Sequence, residues 1–144
     1  MKRLIALVLL TVAVLAMTSC SVMTKGVGRT TSVSLLDAAQ TELEKNGNGE
    51  VTRLDEAAVA AYQEALKAEG LVFAADMTGV LRVSYNKNGG SLLTEMFGFE
   101  DAEDAETVAQ YFERKYATEI AEGKARVTRN GYVLTVTNSS FLLS

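Results

Sequence analysis

Histidine, proline and tryptophan are absent from this chain of 144 residues, and Cys20 is its single cysteine. Without histidine, neither a Ser-His-Asp nor a Cys-His nucleophilic arrangement can be assembled within the chain. Zinc sites built on imidazole or on several thiolates fall with it. A lone thiol leaves no internal disulfide. The missing tryptophan removes the commonest stacking platform for a sugar, and the missing proline means no X–Pro bond whose isomerisation would slow folding. Enzymatic chemistry would have to come from carboxylates, lysine, serine or tyrosine. The expectation is therefore a protein that is not an enzyme and that carries no cofactor.

What is present is sharpest at the N-terminus. Lys2 and Arg3 precede an uninterrupted run of apolar and small residues from Leu4 to Met17. A basic start, an apolar stretch of roughly 7–15 residues and small residues before a cut are the parts of a secretory signal peptide. The run is short of the about 20 residues that a spanning helix needs. Met17-Thr18-Ser19-Cys20 then resembles the lipobox of bacterial lipoprotein precursors. That resemblance implies a diacylglyceryl group on the Cys20 thiol and cleavage by signal peptidase II just before it. An ordinary cleaved signal peptide with a spare cysteine, or an uncleaved anchor, accounts for less of the pattern. The resemblance places the protein on the extracytoplasmic side of a cell membrane or outer membrane, held by lipid.

Three regions follow: residues 1–19 as signal peptide, 20–32 as a lipidated tether of small and polar residues, and 33–144 as one domain. Losing Lys2 and Arg3 takes the formal charge from −4 to −6. An acidic surface suits neither nucleic acid nor anionic headgroups. One domain of this length buries a core without covalent help.

Within the domain, Leu36, Ala39 and Leu43 mark a helix from Val33 to Lys45, closed by Asn46-Gly47-Asn48-Gly49. Thr52 and Asp55 form an approximate capping box for a second helix over Arg53 to Glu69, with Gly70 as its stop. The period then changes from helical to alternating. Leu71 to Ala75, Val80 to Tyr85 and Ser91 to Phe99 read as strands, the last two joined by a turn at 86–90. Leu81, Val83 and Tyr85 are expected inward and Arg82 and Ser84 outward. Val108, Phe112, Tyr116 and Ile120 form an i+4 ladder on a helix from Glu103 to Glu122. Asn130-Gly131 signals a hairpin between Lys124–Arg129 and Tyr132–Thr137. The expected fold is α+β, in the order ααβββαββ, an antiparallel sheet packed on one face by helices. Its second half resembles, in layout, the C-terminal part of small lipoproteins of Gram-positive bacteria.

Candidate sites are few. The segment from Glu44 to Asp55 resembles an EF-hand calcium loop, with Glu44, Asn46, Asn48 and Asp55 at positions one, three, five and twelve, Gly49 at six, Glu50 at seven and Val51 at eight. Glu44 is one methylene longer than the usual first ligand and Asp55 one shorter than the usual last. A plain turn between two helices is the leading reading, and weak calcium binding the second. Glu100 to Glu106 holds five carboxylates in seven residues, expected to complement the positive end of the following helix. Ser84-Tyr85-Asn86-Lys87 matches a Ser-x-x-Lys pattern without the Ser-Asp-Asn and Lys-Thr-Gly elements that accompany it. Phe112 and Tyr116 read as core. The functional expectation is a membrane-anchored interaction or structural module of the cell envelope meeting another envelope protein. A ligand- or calcium-binding accessory lipoprotein is the alternative.

Overall fold

The computed structural model describes residues 27–47, 49–87, 89–141 and 143. They form α1 (Val27–Asn46), β1 (Glu50–Arg53), α2 (Glu56–Ala68), β2 (Met77–Lys87), β3 (Gly90–Phe99), α3 (Ala102–Lys115), α4 (Ala117–Ala121), β4 (Ala125–Asn130) and β5 (Val133–Ser139). The strands make one antiparallel sheet in the order β1-β2-β3-β5-β4. The class is α+β, as the alternation of periods predicts.

Helices cover both faces of the sheet, where one was expected. Neighbouring residues on a strand point to opposite faces, and here both neighbours are apolar. Val80, Phe97, Leu134 and Val136 pack with Val59 and Leu66 of α2 and with Val108 and Phe112 of α3. Leu81, Val83, Met96 and Val133 face the other way, onto Leu35, Leu36, Ala39 and Leu43 of α1. Arg82, expected in solvent, therefore lies on the α2–α3 face, where its guanidinium bonds Glu95 at 2.9 Å.

Close approach fixes α1. Gly79 and Gly98 are cross-strand partners, and Leu36 sits over both. A Cβ on Gly98 would come within 2.9 Å of Leu36 Cδ1, and one on Gly79 within 3.0 Å. Only glycine leaves room for this side chain, whose burial contributes about 1.5–3 kcal/mol. The helix also reaches back to Val27, with Gly28 and Ser32 buried. Residues 27–32, read as tether, thus belong to the folded unit. A hydrogen bond of 2.7 Å between the hydroxyls of Ser32 and Thr78 and an ion pair of 3.4 Å between Arg29 and Glu100 hold them there.

The element order departs from expectation at three places. The turn between the first two helices contains β1, which pairs with Leu81–Ser84. Helix α2 consequently starts later, and Asp55 is its N-cap, accepting from the Ala58 N–H at 2.8 Å, with no box from Thr52. At the other end Gly70, at φ 96°, lets its own N–H reach Lys67 O and the Leu71 N–H reach Leu66 O, the stop the sequence signals. Leu71 to Ala75 is not a strand. Its alternation is real, since Leu71 and Phe73 pack inward and Val72 is 82% exposed. Its backbone is held by side chains instead: Asp104 takes the N–H groups of Ala74 and Ala75, and Gln63 takes Ala75 O. The long helix breaks at Tyr116 (φ −106°, ψ 22°), separating α3 from α4. Val108 and Phe112 keep their inward ladder, while Ile120 emerges 37% exposed.

Candidate functional site

Most of the carboxylates singled out in the sequence are engaged in the fold. In the calcium-like segment, Glu44 accepts from Gln40 at 2.9 Å, Asn46 donates back to Glu42 O at 2.7 Å, Glu50 opens β1 and Asp55 caps α2. The helix–loop–helix that such a site requires is a helix–strand–helix here. Asn48 and Cys20 lie outside the described residues. Among the described residues, no group of three or more His, Cys, Asp or Glu side chains is placed to hold a metal ion, and no helix is long and apolar enough to cross a membrane. In the acidic run, Glu100 pairs with Arg29, Asp101 caps α3 through the Glu103 N–H, Asp104 holds residues 74 and 75, and Glu106 pairs with Arg129. Ser84 and Lys87 fall within β2 and not at a helix start.

Phe112 is core, stacked between Phe97 at 5.5 Å and Tyr116 at 5.9 Å. The stack reaches the surface at Lys115, whose ammonium lies 5.6 Å from the Tyr116 ring. Tyr62 packs on Phe97 at 5.3 Å. Burial, with Glu95 second, pushes its hydroxyl well above the usual tyrosine pKa, and Arg82 opposes the shift. This group stays neutral and protonated at physiological pH, which is the opposite of an activated nucleophile.

Among the described residues, one groove of about 420 Å³ lies beside the calcium-like segment, lined by Gly47, Gly49, Glu50, Ser84, Tyr85 and Asn86. A larger one, about 650 Å³, lies between the start of α1, the β1–α2 junction and the first residues of β2. Much of its polar lining is already committed: Arg53 to Asp37, Arg29 to Glu100, Thr78 to Ser32 and Gln63 to the backbone of Ala75 and Met77, with the carboxylates of Glu56 and Asp76 also on its walls.

A further groove, about 540 Å³, runs beside β4 and is lined by Ala117 and Ile120 of α4, by Gly123, by Ala125 and Val127 of β4, and by Leu143, with Glu113 and Arg126 also bordering it. Strand β4 is an edge of the sheet. Antiparallel residues alternate between pairs that exchange hydrogen bonds and pairs that do not. Lys124 O accepts from the Ser139 N–H at 2.8 Å, which fixes the phase. Arg126, Thr128 and Asn130 therefore turn their backbone groups to β5. Ala125, Val127 and Arg129 turn theirs outward, past the groove. The hairpin that the sequence signals is shifted by one residue: Asn130 ends the strand and Gly131-Tyr132 form the loop. The opposite edge, β1, has only four residues, against six in β4. What sequence reasoning missed is this edge, because β5 inserts between β3 and β4. Its available signal was the run 124–130, with three basic residues and no acidic one.

A sheet edge beside a groove is a surface on which a further strand can pair. No protein-family model, curated protein or solved structure matches the chain.

Proposed function

We propose that this chain is a lipid-anchored, extracytoplasmic lipoprotein whose α+β domain is a non-enzymatic interaction module, engaging another envelope protein along β4. One observation carries the reading: the outward N–H and C=O groups of Val127 and Arg129, beyond the buried Ala125, border a groove with the apolar side chains of Ala117, Ile120, Val127 and Leu143 on its walls. Exposed edges are templates for strand pairing, and natural proteins usually shorten or cover them. The anchor rests on the Lys2 to Cys20 pattern. The non-enzymatic part rests on the absence of histidine and on most of the carboxylates singled out serving as caps, clamps and ion pairs.

The test places a photo-crosslinking amino acid at Ile120, beside the edge, and in a second variant at Glu64 on α2, away from it. Both are expressed as full chains in the native envelope. The reading expects one companion protein captured from Ile120 and absent from Glu64. The same capture from both positions, or none from Ile120, overturns it.

A further inference from the structure

The geometry of β4 narrows the partner further: we infer that the edge takes an extended segment with alternating apolar and acidic side chains, added as a sixth strand. This inference rests on the interaction reading above and deepens it. Val127 and Arg129 stand two positions apart, so their outward backbone groups lie about 6.8 Å apart along the strand, while Ala125, in the same phase, is buried. A segment of about six residues spans both. This is strand addition, in which main-chain bonds give affinity and alternate side chains give specificity.

The side chains of the added strand alternate between the two faces of the sheet. On the face shared with Ala125 and Val127 they enter the groove, whose walls are Ala117, Ile120, Val127 and Leu143. Apolar side chains fit there. On the other face they lie beside Arg126, with Lys124 at the start of the strand. Arg129 is matched by Glu106 at 2.8 Å and Lys124 by Glu122 at 3.4 Å. Arg126 has no ion-pair partner among the described residues, so an acidic side chain on the incoming strand completes it. The same charges disfavour a second copy of this chain at this edge. Two antiparallel β4 strands paired about Val127 make the two Arg126 side chains diagonal neighbours on one face, a like-charge contact that no acidic residue within 124–130 offsets.

The probe is a capped synthetic hexapeptide of alternating Glu and Val, titrated against the detergent-solubilised full chain. Two companion peptides accompany it, one with Lys in place of Glu and one N-methylated on alternate residues to remove the pairing N–H groups. Saturable binding of the first peptide alone is expected, with slowed amide exchange at Val127 and Arg129. Arg126→Glu should weaken it by about three- to tenfold at low salt. Equal binding of the Lys or N-methylated peptide, or no saturable binding of the Glu peptide, overturns the inference. Val127→Pro removes an outward N–H and leaves the β5 ladder intact, a substitution edge strands tolerate. Carried into the crosslinking experiment, this variant separates the two claims. Peptide and companion lost together supports both. Peptide lost with the companion retained overturns the strand-addition inference and leaves the interaction reading standing. Peptide bound by the parent chain with no companion captured overturns the interaction reading alone.

Discussion

Asp104, in the first turn of α3, accepts the backbone N–H of Ala74 at 2.8 Å across thirty residues of sequence. Its second oxygen takes the Ala75 N–H at 3.0 Å, and the residue is buried at 4% exposure. The pair of bonds does for 71–75 what a neighbouring strand would have done. Asp104→Ala strands both N–H groups and should cost about 1.5–3 kcal/mol. Asp104→Asn keeps one acceptor and should lose less. Urea unfolding measures the totals, and amide exchange at Ala74 and Ala75 should accelerate before the rest of the sheet opens. Unchanged exchange at those two amides in the Ala variant would refute the clamp.

Gly98 and Leu36 are coupled by shape. Gly98→Ala drives a methyl against Leu36 Cδ1 and Thr78 Oγ1, an overpacking cost of about 1–3 kcal/mol. Leu36→Ala empties a fully buried site and should cost about 2–5 kcal/mol. The double variant should be more stable than the sum of the two losses predicts, by about 1 kcal/mol, because the new methyl occupies space that the leucine vacates. A cycle additive to within about 0.5 kcal/mol would contradict direct packing of α1 on this notch.

These two contacts also mark where the sequence is legible. Local signals hold: Gly70 stops α2, the i+4 ladder of Val108 and Phe112 turns inward, and the Asn-Gly hairpin forms within one residue of its expected place. Long-range partners are illegible. Four residues from Glu50 become a strand because Leu81–Ser84 pair with them, and nothing nearby announces it. The covering of both faces left a trace that went unread. Val80-Leu81 and Met96-Phe97 are adjacent apolar pairs, which a half-solvated strand does not need. The candidate edge depends on strand order, and so on topology rather than on any motif.

Tyr62 predicts an alkaline weakness. In the unfolded chain its hydroxyl loses its proton near pH 10. In the folded chain burial, helped by Glu95, Tyr116 and Tyr111, keeps it protonated to higher pH, against the pull of Arg82. Below about pH 10 both states hold the proton and the group contributes nothing to the pH dependence. Above that the unfolded state alone releases it, so stability falls as pH rises. Tyr62→Phe should flatten this fall between about pH 9.5 and 11 in urea melts, relative to the parent. Identical slopes for both would mean that Tyr62 ionises freely in the folded protein.

The anchor makes the last prediction. Under the proposed processing, two or three acyl chains join the chain at Cys20, each buried methylene contributing about 0.8 kcal/mol, and one chain alone holds only marginally. Cys20→Ser removes the only thiol. It should release the domain from membranes and abolish radiolabelled palmitate incorporation, while leaving the fold unchanged by circular dichroism. Membrane association that survives the substitution would refute lipidation. Six residues, Ser21 to Gly26, lie in the sequence between Cys20 and Val27, the first described residue. Their fully extended reach is at most about 20 Å. The start of α1 is tied to the sheet through Arg29 and Glu100, so this reach also limits how far the sheet can stand from the lipid surface. A partner for the β4 edge must therefore present its strand close to that surface. Lengthening the tether by twenty Gly/Ser residues should leave hexapeptide affinity unchanged and weaken crosslinking to a membrane-bound companion.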